Sequence, residues 1–139
     1  MNNKKSLLVA LALIGVNAPI YAMPPQPAKC PSVANIKSAG LSYSSLDTDG
    51  YVVAQFNKYS TNDTWLFGFA SIQAKSSQEA LSIGNQLLGT LFGSPKPTPI
   101  PSENLWACLY QTSQGSYGVA LTPINMSVTM KQSIRAAVR

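Results

Sequence analysis

Thr64-Trp65-Leu66-Phe67-Gly68-Phe69-Ala70-Ser71-Ile72-Gln73-Ala74 is the longest strongly apolar, β-compatible stretch of the chain outside its N-terminus. Side chains alternate between the two faces of a strand, so Trp65, Phe67 and Phe69 share one face while Leu66, Gly68, Ala70 and Ile72 share the other. Both faces are apolar and both need a cover. The stretch therefore reads as the central strand of a small sheet. Directly after it the period changes. Ser76-Ser77-Gln78-Glu79 is a capping-box pattern, in which a hydroxyl and a carboxylate satisfy orphan amides of a first helical turn. Ala80, Ile83, Gly84, Leu87, Leu88 and Leu91 then recur at helical spacing. Glycine in a helix interior costs about 1 kcal/mol relative to alanine. Gly84 on the apolar stripe thus suggests a close crossing, and the helix is expected over the small-residue face, at Gly68 and Ala70. The sequence does not say what covers the rings.

Upstream, the proline-rich lead-in Met23 to Lys29 should be extended, and Pro31 to Gly40 fits a short helix closed by a glycine. Leu41 to Leu46 and Tyr51 to Tyr59 read as strands joined by Asp47-Thr48-Asp49-Gly50, since Asp-Gly accepts the positive φ of a tight hairpin. Downstream, Gly93 to Pro101 alternates proline with other residues and reads as a stiff, extended crossing connection rather than a segment for a proline-binding partner. Asn104 to Thr112 and Tyr117 to Thr122 form a second hairpin. Met126, Met130 and Ile134 fall four apart beside Lys131, Arg135 and Arg139, which predicts a C-terminal amphipathic helix. The expected fold is a single α+β domain with an antiparallel sheet of about five strands, ordered β-β-β-α-β-β. One helix packs on one face, and a short C-terminal helix follows.

Met1 to Ala22 has the pattern of a secretory signal peptide. Lys4 and Lys5 form the positive region, Leu7 to Val16 the apolar core, and Ile20-Tyr21-Ala22 the cleavage site. The mature domain is then 23–139, exported to the periplasm or beyond. The net charge of +5 loses the two lysines of the signal and becomes +3. The remaining cations are scattered, which gives no footprint for nucleic acid. Cys30 and Cys108 are the two cysteines of the chain. In an oxidising compartment they are expected to form one disulfide.

The chain contains no histidine, which removes the commonest general base and transition-metal ligand. The five carboxylates are Asp47, Asp49, Asp63, Glu79 and Glu103. Three of them fall in turns and Glu79 serves the helix cap, so no pair faces across a cleft as a glycosidase requires. Asp47-Thr48-Asp49-Gly50 resembles the middle of a calcium loop, yet with Gly50 as its turn glycine Phe56 stands where the closing glutamate belongs. There is no phosphate-binding loop, nucleophile elbow, metal-ligand set or cofactor motif. A non-enzymatic protein is the leading reading, and a small hydrolase with an atypical site is the alternative.

If the strands register so that Trp65, Phe67 and Phe69 lie beside Trp106, Cys108 and Tyr110, one face of the sheet is rich in rings. Two outcomes follow: a second core closed by the Cys30 segment, which Cys108 would pull across the face, and by the C-terminal helix, or an exposed surface that binds a protein, glycan or lipid, or a second copy of the chain. The tail adds another option, since Lys131 and Arg135 beside an apolar stripe suit an anionic membrane surface as well as packing on the sheet.

Lys29-Cys30-Pro31-Ser32-Val33 soon after the signal, Gly40-Leu41 opening the first strand, the aromatic strand running into Ser76-Ser77-Gln78-Glu79-Ala80-Leu81, and Trp106-Ala107-Cys108-Leu109-Tyr110 are all present. Together they resemble a domain family of unknown function found in small exported proteins of Legionella- and Coxiella-like bacteria. The resemblance implies a periplasmic or secreted bacterial protein, such as a type II secretion substrate, and transfers no active site.

Overall fold

The computed structural model describes residues 22–124. Its elements are helix α1 (Val33–Ala39), strands β1 (Tyr43–Asp47), β2 (Gly50–Asn57) and β3 (Trp65–Ile72), helix α2 (Ser77–Gly89), strand β4 (Thr98–Ile100), a 3-10 turn (Pro101–Glu103), and strands β5 (Leu105–Gln111) and β6 (Tyr117–Thr122). The strands form one antiparallel sheet in the order β1-β2-β3-β6-β5-β4. The fold is a small α+β domain with six strands where the sequence suggests five. The sixth comes from the proline segment, as Thr98, Pro99 and Ile100 pair with Ala107, Trp106 and Leu105. Proline lacks an amide donor, and an edge strand tolerates this because one of its sides has no partner to serve.

Local signals fix the helix ends. The Ser32 hydroxyl accepts from the Asn35 amide at 3.2 Å, and Gly40 closes α1 with φ +70°. Ser76 accepts from the Glu79 amide at 3.1 Å, while the Glu79 carboxylate accepts from the Lys75 amide at 2.7 Å. The box thus reaches back one residue before the cap. Asn85 ties α2 to the entry of β1: its side chain accepts from the Leu41 amide at 3.0 Å and donates to the Leu41 carbonyl at 3.2 Å.

The main correction concerns which face the helix covers. Val53 is paired with Phe69 and so lies on the aromatic face. A Cβ added to Gly84 would meet Val53 Cγ2 at 2.7 Å and Leu41 Cδ1 at 3.1 Å. Gly84 therefore makes the close crossing, but above Val53 and Leu41 on the aromatic face. Ala80, Leu87, Leu88 and Leu91, together with Ile36 of α1, share one core with Trp65, Phe67, Phe69, Cys108 and Tyr110. The rings leave room for a helix because β6 presents Gly118 and Ala120 beside them. Phe67 lies so close over Gly118 that an added Cβ would be 2.7 Å from its Cζ.

Ile72 also changes sides. The β2–β3 register shifts between Tyr51 and Val53, and Ser71 takes a left-handed conformation with φ +59°. This bulge turns Ile72 into the aromatic core, against simple alternation. On the opposite face Ile100, Leu105, Ala107, Val119 and Leu121 form a second apolar cluster, with Ala70 and Leu109 at its margin. Among the described residues no helix is long and apolar enough to cross a membrane.

Candidate functional site

Four of the five rings nominated by the sequence are interior groups. Trp65, Phe67 and Tyr110 are 0% exposed and Phe69 is 1% exposed. Phe67 meets Phe69 and Tyr110 edge to face, with ring centroids 5.5 and 5.9 Å apart. Of the two outcomes open for this face, the structure has the closed core. The polar atoms on the rings are also engaged within the chain. Trp65 Nε1 donates to Thr61 Oγ1 at 2.9 Å, Trp106 Nε1 donates to the Pro24 carbonyl at 2.9 Å, and the Tyr110 hydroxyl donates to the Pro31 carbonyl. Trp106 is half-buried and its donor is already used. Burial raises the pKa of both Tyr110 and Tyr59, and in Tyr110 the neighbouring Tyr59 adds to the effect. Lys131, Arg135 and the expected C-terminal helix lie outside the described residues.

Cys30 and Cys108 form a disulfide, 78 residues apart in sequence. With the Tyr110–Pro31 hydrogen bond it pins the lead-in to β5 at alternate residues of the ring face. The very next residue of β5 pins a second segment: Phe92 and Gln111 exchange backbone hydrogen bonds of 2.8 and 3.0 Å. Beyond Phe92, Gly93 turns with φ +127° and the prolines keep the chain extended.

Two segments fastened to neighbouring residues of one strand leave a groove between them. It has a volume of about 400 Å³ and lies between Ala28–Val33 and Gly93–Pro97. Its walls are apolar, formed by Pro31, Val33, Pro95 and Pro97, and each wall carries one exposed lysine, Lys29 or Lys96. No carboxylate lines it, and among the described residues neither lysine has an ion-pair partner. A smaller cavity of about 140 Å³ lies on the other side of Lys29, bordered by Ser60, Thr61, Asn62 and Asp63. Among the described residues no group of three histidine, cysteine or carboxylate side chains is placed to hold a metal ion.

The sequence shows both halves of the groove but not their meeting. Lys29-Cys30-Pro31 and the proline run are each conspicuous, yet they are more than 60 residues apart. The only pointer is the disulfide, which reaches β5 two residues before Tyr110 and three before Gln111.

A family model described as a domain of unknown function, DUF4949, matches residues 29–131. No curated protein and no solved structure matches the chain.

Proposed function

The chain belongs to this DUF4949 family of unknown function, and we propose that it is an exported, non-enzymatic binding protein whose groove receives a short acidic peptide segment of a partner protein. The observation that carries this reading is the lysine on each wall of an apolar groove that contains no carboxylate. An extended peptide suits a groove whose Gly93–Pro97 wall is held extended by its prolines. Its apolar side chains pack on proline and valine, while its carboxylates face two ammonium groups. A sugar ring usually rests on an aromatic face, and the groove lining has no aromatic side chain. Export is supported by the signal pattern at residues 1–22 and is consistent with the disulfide. The resemblance adds a bacterial envelope or secreted setting. Rings buried in the core cannot contact a partner, so the binding reading moves from the sheet face to the groove.

The test is a titration with short Glu/Asp-containing peptides followed by backbone amide shifts. Perturbations are expected at 28–33 and 93–97 (prolines excepted), and they should weaken with salt, because exposed charges are screened within about 8–10 Å at physiological ionic strength. Shifts confined to other surfaces, or none at millimolar peptide, would rule the groove out.

A further inference from the structure

At one end of the sheet three residues stand in register across β5. Phe92 pairs with Gln111 from one side, and Tyr117 pairs with Gln111 from the other. Residues paired in an antiparallel sheet point the same way, so the three side chains lie abreast on one face. Tyr110, one residue before Gln111, points into the aromatic core, so the trio is on the opposite face. Here the surface is open. Phe92 and Tyr117 are 50% and 40% exposed, and Gln111 is exposed between them, whereas Val119, two residues further along β6, is 0% exposed. The backbones that carry the two rings are two strand spacings apart, about 10 Å. Among the described residues, the side-chain amide of Gln111 and the hydroxyl of Tyr117 have no hydrogen-bond partner.

The three positions are fixed by the fold. Phe92 and Gln111 exchange backbone hydrogen bonds of 2.8 and 3.0 Å, and Phe92 follows the buried Leu91. The loop between Gln111 and Tyr117 is closed at its base. There the Thr112 amide donates to the Ser116 carbonyl at 3.0 Å, and the two hydroxyls lie 2.7 Å apart. A surface held in this way has little freedom left to lose on binding.

We propose that Phe92, Gln111 and Tyr117 form a binding site for an uncharged glycan of at least two sugar units. A pyranose has an apolar C–H face that rests on an aromatic ring, and edge hydroxyls that an amide can both donate to and accept from. Rings about 10 Å apart suit successive units of a sugar chain rather than a single sugar. Charge selects against other partners. Residues 80–95 and 104–124, which build this end of the sheet, contain no lysine, arginine, aspartate or glutamate. An acidic peptide, a nucleic acid or an anionic lipid surface finds no cation on them. A second copy of the chain also fits poorly, because two half-open rings and an amide offer far less than the about 800 Å² per partner of a stable interface. The site shares no residue with the lysine-flanked groove and stands independently of the peptide reading.

The test is a titration of the full chain with cellotetraose, maltotetraose and N-acetylated chitotetraose, each to about 10 mM, followed by amide shifts. At least one of them should perturb the backbone amides of Phe92, Gln111 and Tyr117 and the side-chain amide of Gln111. Phe92→Ala and Tyr117→Ala should each weaken that binding by about fivefold or more, the scale of one aromatic contact. Gln111→Ala probes the site without touching a ring and should weaken it too. Tyr43→Ala removes a ring that is 51% exposed on the far edge strand β1, and it should leave binding unchanged. Thermal melts confirm that each variant is folded. No perturbation by any of the three sugars, shifts confined to other surfaces, or an equal loss in Tyr43→Ala would overturn the proposal. So would a dimer of the wild-type chain that Phe92→Ala dissociates, which would assign the rings to a second copy.

Discussion

The hydroxyl of Tyr110 in β5 donates to the carbonyl of Pro31, a residue 79 positions earlier, and the bond is buried. It lies two residues from the disulfide in β5 and one residue from it in the lead-in, so the lead-in is held to the sheet at two adjacent points. Tyr110→Phe keeps the ring and removes only the donor. A buried carbonyl left without a partner costs about 1–3 kcal/mol. Urea denaturation should show that loss with an unchanged slope. An unaltered midpoint would mean that the bond contributes nothing.

Two glycines in α2 should respond with opposite signs. Gly84→Ala gains helix propensity but drives a methyl to 2.7 Å from Cγ2 of Val53, a β-branched side chain with little freedom to move away. Overpacking of this kind costs about 1–3 kcal/mol, more than the propensity gain of about 1 kcal/mol. At Gly89 nothing lies within 4 Å of an added Cβ. Gly89→Ala should therefore stabilise by about 0.5–1 kcal/mol. Thermal melts of the two variants decide it, and stabilisation by both would mean that the helix does not press on Val53.

The sequence made the aromatic core legible but not its cover. Alternation placed Trp65, Phe67 and Phe69 on one face, and the second hairpin set Cys108 and Tyr110 beside them. Helical spacing identified the apolar stripe of α2 and, through Gly84, a close crossing. It could not choose between two apolar sheet faces, because a stripe identifies the buried side of a helix and not what it rests on. The bulge at Ser71 was hidden for a different reason. A serine with positive φ carries no glycine to betray it, so Ile72 was placed on the wrong face. The proline run masked a strand, since the pairing of Thr98 to Ile100 depends on an edge position that only the sheet supplies.

Breaking the disulfide with the paired change Cys30→Ser and Cys108→Ser should destabilise the domain by about 4 kcal/mol, from the entropy of a closed loop spanning 78 positions. The same variant loosens one wall of the groove, so acidic-peptide affinity should fall even at temperatures where the domain remains folded. Unchanged stability would show that the other contacts hold the lead-in without the bond.

Burial holds the phenols of Tyr59 and Tyr110 protonated above their ordinary range. In the unfolded chain they ionise near pH 10. Folding therefore retains protons that unfolding releases, and stability should be flat below about pH 10 and fall as pH rises beyond it. Melting curves between pH 8 and 11.5 should show this decline, and Tyr59→Phe should reduce its slope. An equally steep decline without Tyr59 would assign the alkaline loss to other groups.

The groove is the central functional claim, and its two lysines are the most direct handle on it. Lys29 and Lys96 are exposed, so Lys29→Glu with Lys96→Glu should leave the melting temperature within a few degrees of the wild type. The decisive measurement is the affinity of that variant for an acidic peptide that binds the wild type, by calorimetry at low salt. A loss of at least about tenfold, equivalent to about 1.4 kcal/mol, is the predicted result. Equal affinity in the two proteins would contradict it.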